Sequence, residues 1–172
     1  MGKRIACVIT DMFEDSEYNE PKKAFVEAGH EVVTVGFEKD KKVKGAKGKI
    51  EAVIDISIDD AEPEDFDALF IPGGYSPDQL RGDARFVDFA KQFMSSDKPV
   101  FAICHGPQLL ITAKALEGRD VTGFKSIQVD LDYAKANVHD KEVIVCHNQL
   151  VTSRQPEDIP AFNRESLKLL AS

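Results

Sequence analysis

Cysteine is scarce in this chain, with three residues (Cys7, Cys104 and Cys146) at no regular spacing. An odd number so placed excludes a disulfide framework and fits a reducing compartment. Basic blocks are missing as well. The formal net charge is −8, and the one concentration of lysine, Lys39 to Lys49, is interleaved with or flanked by Glu38, Asp40 and Glu51. That stretch reads as a solvated loop or hairpin, so no nucleic-acid partner is expected. No apolar run approaches the ~20 residues of a membrane-spanning helix. The N-terminal segment lacks a signal-peptide apolar region, so a cytoplasmic protein without a membrane partner is expected. Repeats, low-complexity segments and linkers are also absent. With 42% hydrophobic and 30% charged residues among 172, the composition is that of a globular protein, read as one domain over residues 1–172.

What is present is an alternation of apolar strands and helical patterns. Strands are predicted over 4–10, 31–37, 68–71 and 100–103, with shorter ones near Val121, over 143–145 and over 150–152. Residues 50–58 suggest a short strand or hairpin arm. Helices are predicted over 21–28 (stopped by Gly29), 84–95, from the end of strand 100–103 to about Ala115, and 159–170. Such alternation means an α/β protein whose mainly parallel sheet is covered on both faces. Sites in these sheets lie at the carboxyl ends of strands.

Three of those ends carry chemistry. Strand 100–103 runs into Cys104-His105-Gly106 and then a helix, a strand–turn–helix that places a nucleophile at the bend. Helix N–H groups beneath a thiol favour its thiolate, so a lowered Cys104 pKa is expected. Strand 68–71 ends in Pro72-Gly73-Gly74, whose glycines allow an N–H to turn toward an oxyanion, with the His105 N–H as second donor. The first strand leads to Phe13-Glu14-Asp15-Ser16-Glu17, which brings acids to the same edge. Tyr75 is expected to line the mouth. Each feature also has a plain structural reading: a buried core cysteine, an ordinary turn, acids that complement a helix dipole.

Four segments together resemble the PfpI-like superfamily, which includes archaeal intracellular proteases, bacterial general stress proteins and a human deglycase. They are Phe13 to Glu17, Ile71 to Asp78, Ala102 to Gln108, and Thr152 to Asp158. In this order they span most of the chain, and the likeness is nearest to the bacterial YhbO-type stress-protein branch. The resemblance implies a flavodoxin-like three-layer sandwich with a nucleophile elbow, the architecture of class I glutamine amidotransferases. It also implies Cys104 as nucleophile, Glu17 as an acid hydrogen-bonded to its sulfur, and Glu14 as a second acid at the mouth. In the proteases of the family the histidine matching His105 pairs with the cysteine and is oriented by an acid from a neighbouring subunit. Asp78 holds that position here, one methylene shorter than the glutamate of the archaeal members. A homodimer or larger homo-oligomer is therefore expected.

A soft nucleophile, an acid and two backbone donors suit addition to an aldehyde or ketone, giving a hemithioacetal. The leading expectation is a stress-protection enzyme acting on small reactive carbonyls or glycated proteins, in the manner of a glutathione-independent glyoxalase or deglycase. No cofactor and no metal are expected. Peptide hydrolysis through Cys104, His105 and Asp78 of the partner subunit is the second reading, and a non-enzymatic peroxide sensor at Cys104 the third. Glutamine amidotransfer is set aside, because no histidine follows residue 147 and neither His139 nor His147 begins a His-x-Glu pairing. Cys7 is read as core. Cys146-His147 is too small a ligand set for zinc. His30 and His139 are read as turn or loop residues, and Arg154 as a structural pair or an anion contact.

Overall fold

The computed structural model describes residues 2–172. The elements in chain order are β1 (Arg4–Val8), α1 (Asp15–Glu27), β2 (Glu31–Gly36), β3 (Lys42–Lys44), β4 (Glu51–Val53), β5 (Ile56–Ser57), β6 (Ala68–Ile71), α2 (Ser76–Leu80) and α3 (Ala84–Ser95). There follow β7 (Val100–Ile103), α4 (Pro107–Thr112), β8 (Asp120–Val121), α5 (Gln128–Tyr133), β9 (Asn137–Val138), β10 (Ile144–Cys146), β11 (Leu150–Ser153) and α6 (Ile159–Leu170). A seven-stranded sheet runs in the order β10-β11-β7-β6-β1-β2-β5. Every pairing in it is parallel except β10 with β11. Its centre, β2-β1-β6-β7-β11, has the flavodoxin order, in which the chain reverses its direction of travel between β1 and β6. Ligand crevices form at that reversal.

Period-two alternation sorts the strand side chains into two apolar layers. Ile5, Cys7, Phe70 and Phe101 pack with Phe25 of α1 and Phe162 of α6. Ala6, Val8, Leu69 and Ala102 pack with Phe86, Phe89 and Phe93 of α3 and with Leu109 and Leu110 of α4. Cys7 is fully buried in the first layer, as a core residue. Phe86, Phe89, Ala90 and Phe93 form one stripe at helical spacing, and the Asp83 carboxylate caps the same helix by accepting the Arg85 N–H at 2.9 Å. The result is a three-layer α/β sandwich.

Several boundaries differ from the sequence reading. α1 begins at Asp15, six residues before the predicted start, and carries Pro21 in its interior. Proline there removes one N–H but does not stop the helix, because the buried Pro21, Tyr18 and Phe25 keep it packed. Glu17 thus sits in the first turn of a helix, not in a loop. α4 stops at Thr112 rather than near Ala115, closed by Lys114 in the left-handed region (φ 56°). α2, α5 and β9 were not predicted, as each is too short to show a period. The lysine-rich stretch does form an antiparallel hairpin, β3 with β4.

Candidate active site

Cys104 occupies the turn between β7 and α4 with φ 63°, a left-handed conformation that costs a non-glycine residue of order 1–2 kcal/mol. The surroundings hold it there. The Cys104 N–H donates to the Ser153 carbonyl at 2.9 Å, the Cys104 carbonyl accepts the Phe124 N–H at 2.9 Å, and the Gly106 N–H donates to the Ile103 carbonyl at 2.8 Å. Gly106 is required by proximity, since a Cβ there would lie 2.5 Å from the Ile71 carbonyl oxygen. The strained turn aims the thiol over the carboxyl edge of the sheet, where the residue is 7% exposed.

The end of β6 is joined to the segment leading into α1. Gly74, with φ 82°, forms an antiparallel bridge with Phe13. The Glu14 N–H donates to the Gly73 carbonyl at 3.1 Å, and the Tyr75 N–H to the Met12 carbonyl at 2.8 Å. These contacts deliver Glu17 beneath the elbow. A Cβ on Gly73 would fall 2.2 Å from the Glu17 Oε1 and 2.9 Å from the Cys104 Cβ, so three of the predicted residues meet at one point.

Glu17 is fully buried, and neither carboxyl oxygen has a partner at ordinary hydrogen-bond geometry. Burial pushes its pKa up to about 8, and the charge of Glu14 adds to the rise; the Cys104 thiol, the Gly73 N–H and Lys47 oppose it. The expected fall in the Cys104 pKa is not found. Burial raises it, the Glu17 carboxylate raises it further, and the His105 and Gly74 N–H groups only partly counter them. α4 is a six-residue helix, and the Gly106 N–H at its start is already spent on Ile103. The dipole argument therefore loses to desolvation. Cys104 and Glu17 form a coupled pair whose proton losses belong to both groups.

The His105 ring stacks on Phe124 with centroids 5.0 Å apart. Its Nδ1 lies 3.4 Å from the Cys104 Sγ and its Nε2 lies 3.5 Å from the Ser126 hydroxyl. Partial burial lowers its pKa against the pull of the Asp78 charge, which leaves the imidazole neutral at pH 7. Asp78 is exposed on α2 and makes no hydrogen bond to His105 within the chain. Tyr75 and Met12 are 57% and 47% exposed beside the same segment. Phe124 and Ser126 were missed in the sequence, where nothing in their local pattern marks them.

Glu14 faces the Lys47 ammonium and accepts the Ser16 hydroxyl at 3.3 Å. Lys47 comes from the hairpin that the sequence reading left in solvent. The remaining candidates are structural pairs. Arg154 donates from Nε and Nη2 to the Asp158 carboxylate at 3.0 and 3.1 Å, and from Nη1 to Asp140 at 3.2 Å. The Cys146 sulfur accepts the Arg119 Nε–H at 3.2 Å. His139 meets Asp120 at 3.0 Å, and the His30 Nδ1 accepts the Lys3 N–H at 2.9 Å. Among the described residues no helix is long and apolar enough to cross a membrane.

The model of the DJ-1/PfpI family matches residues 3–169. General stress protein 18 of Bacillus subtilis is 66% identical over 170 residues, covering 99% of each chain. Protein/nucleic acid deglycase 2 of Escherichia coli is 56% identical over 172 residues, covering both chains in full. A solved two-domain protein of Anabaena variabilis, with a DJ-1/ThiJ/PfpI-like domain and a ferritin-like domain, superposes with a TM-score of 0.95 at 37% identity, covering 98% of this chain and 48% of that one. The elbow cysteine, the buried acid beneath it and the diglycine strand end thus sit in a chain that belongs to the DJ-1/PfpI family.

Proposed function

We propose that this chain is a stress-protection enzyme that uses Cys104 to add to reactive carbonyls, either free dicarbonyls or their early adducts on proteins. The supporting observation is the burial of an unpartnered Glu17 carboxyl against the thiol, together with the high identity to a relative named as a deglycase. Once the pair has lost its first proton, one proton is left between sulfur and carboxyl. In the thiolate form Sγ attacks the aldehyde carbon of methylglyoxal, and the new oxyanion is met by the Gly74 and His105 N–H groups. Glu17 gives its proton to that oxygen. As a carboxylate it then takes the C1 hydrogen and returns it to C2, while the proton on the C1 oxygen passes to the C2 oxygen, which converts the hemithioacetal into a lactoyl thioester. Water cleaves the thioester to lactate and regenerates the thiol. Aldehyde and ketone carbons exchange oxidation state within one molecule, so no external oxidant or cofactor enters. The setting is cytoplasmic, and the working form is a homo-oligomer.

The test is methylglyoxal consumption without glutathione. Wild type is expected to produce lactate, with no product from Cys104→Ala and at least about a hundredfold loss in Glu17→Gln, the usual worth of a positioned acid–base group. Turnover retained in Cys104→Ala overturns the reading. Peptide hydrolysis is the second reading, favoured by the 3.4 Å approach of the His105 Nδ1 to the sulfur. It needs an acid to orient His105, supplied by Asp78 of the partner subunit. Cleavage of fluorogenic peptides by the assembled protein, lost in Asp78→Asn, is its expected sign.

A further inference from the structure

The tip of the β3–β4 hairpin is stitched to the segment that starts α1. Buried Asp15 accepts the N–H groups of Lys47, Lys49 and Ile50, each at 2.9 Å. The Lys44 N–H donates to the Asp11 Oδ1 at 2.9 Å, and the Ala46 N–H to the Phe13 carbonyl at 2.8 Å. Gly45 lets the tip close, since a Cβ there would lie 2.3 Å from the Asp15 Oδ1. A solvated loop has no need of such anchoring. Its effect is to hold one side chain of the tip, Lys47, against Glu14, which stands three residues before Glu17.

The groups that act on the Glu17 carboxyl come from every element around it. They are Glu14 from its own helix start, Cys104 from the elbow, the Gly73 N–H from the end of β6, and Lys47 from the hairpin tip. His105 reaches the pair through the sulfur. Asp15 is turned to the hairpin amides. Among these groups Lys47 alone brings positive charge. Glu14 is largely covered, with its side chain 17% exposed, so water screens its repulsion of Glu17 weakly.

We propose that Lys47 is a positioning residue: paired with Glu14, it offsets that carboxylate's charge and so sets the pH at which the Glu17–Cys104 pair begins to release protons. The inference rests on reading Cys104 and Glu17 as the reacting pair, and not on the identity of the substrate. It makes the lysine-rich hairpin part of the site's electrostatics, although it touches no reacting atom.

The test is the pH profile of Cys104 alkylation by iodoacetamide, followed at that residue by peptide mass spectrometry. Lys47→Met is expected to move the inflection upward and slow alkylation at pH 7 by about threefold, the equivalent of roughly half a pH unit. Glu14→Gln is expected to move it downward, and the double variant to return near wild type. Lys47→Arg, which keeps the charge, is expected to retain the wild-type profile. Thermal melts of the four variants check folding independently, because the Asp15 anchors use backbone N–H groups that these changes leave in place. The inference is overturned if Lys47→Met leaves the profile unmoved, or if the double variant stays displaced from wild type by the full upward shift of Lys47→Met. A charge pattern as expected with no methylglyoxal turnover keeps the inference and removes the carbonyl reading. Turnover with no such pattern removes the inference alone.

Discussion

Glu17 gathers the tension between folding and chemistry into one side chain. Its pKa stands near 8 in the fold, against an ordinary value of about 4.3 in an unfolded chain. The folded state therefore holds the proton more tightly. Stability is greatest below the ordinary value, falls as pH rises through the interval, and levels off above about 8. Glu17→Gln is expected to flatten that slope, melting higher than wild type at pH 8 while losing turnover. Melting curves at pH 5 and pH 8 check this, and parallel slopes in the two proteins would count against it. At this scale the sequence was partly legible. Cys104, Gly73 and Gly74 stand out as candidates because each lies at a strand end, and Glu17 through the family resemblance; the fold brings Gly73, Glu17 and Cys104 to one point. The direction of the thiol pKa was misread, since a helix start can be seen in a sequence while the burial and the carboxylate that outweigh it cannot. Lys47 was missed because its pairing with Glu14 spans 33 positions and leaves no local pattern.

Elements position these residues by tying loops to one another. Asp15 shows this best. Desolvation alone would raise its pKa, but the N–H groups of Lys47, Ile50 and Lys49 hold it below the usual carboxylate value. Its contribution to stability is present above the ordinary value near 3.9 and is lost as pH falls through the lower folded one. Asp15→Ala strands three donors of the hairpin and is expected to cost about 2–4 kcal/mol, read from chemical denaturation. The same variant should blunt the influence of Lys47 on Cys104, because the tip is no longer held. Strands 68–71 and 100–103 and helices 84–95 and 159–170 matched their predicted bounds. The two strands are unbroken apolar runs, buried at every position, and the two helices keep an apolar stripe at 3.6-residue spacing. The sequence reading starts α1 at Pro21, a residue favoured in a first helical turn, whereas in the fold the packing of Pro21 outweighs its lost N–H and the helix starts at Asp15.

For the whole molecule, the flavodoxin order puts the carboxyl ends of β1, β6 and β7 side by side at the topological reversal. That is why residues as far apart as 17, 73 and 104 converge. Alternating strands and helices sufficed to foresee the layers and the strand at 143–145, but not the antiparallel pairing of that strand, β10, with β11, and the short α2 and α5 carry too few residues to announce themselves. Assembly is the matching prediction. Light scattering is expected to show a homo-oligomer. If Asp78 acts across subunits in peptide hydrolysis, mixed assemblies of Cys104→Ala and Asp78→Asn chains should recover activity that neither shows alone. Absence of recovery in verified mixed assemblies would confine Asp78 to its own subunit.

Gly73 and Glu17 compete for a single volume, with the carboxyl oxygen standing where a methyl group at 73 would go. The Cys104 Cβ and the Ile103 carbonyl oxygen, each 2.9 Å from that methyl position, close the same space from the other side. A lineage that gains alanine at 73 therefore cannot recover by shortening the acid alone. Gly73→Ala should silence turnover, and adding Glu17→Asp should not bring it back.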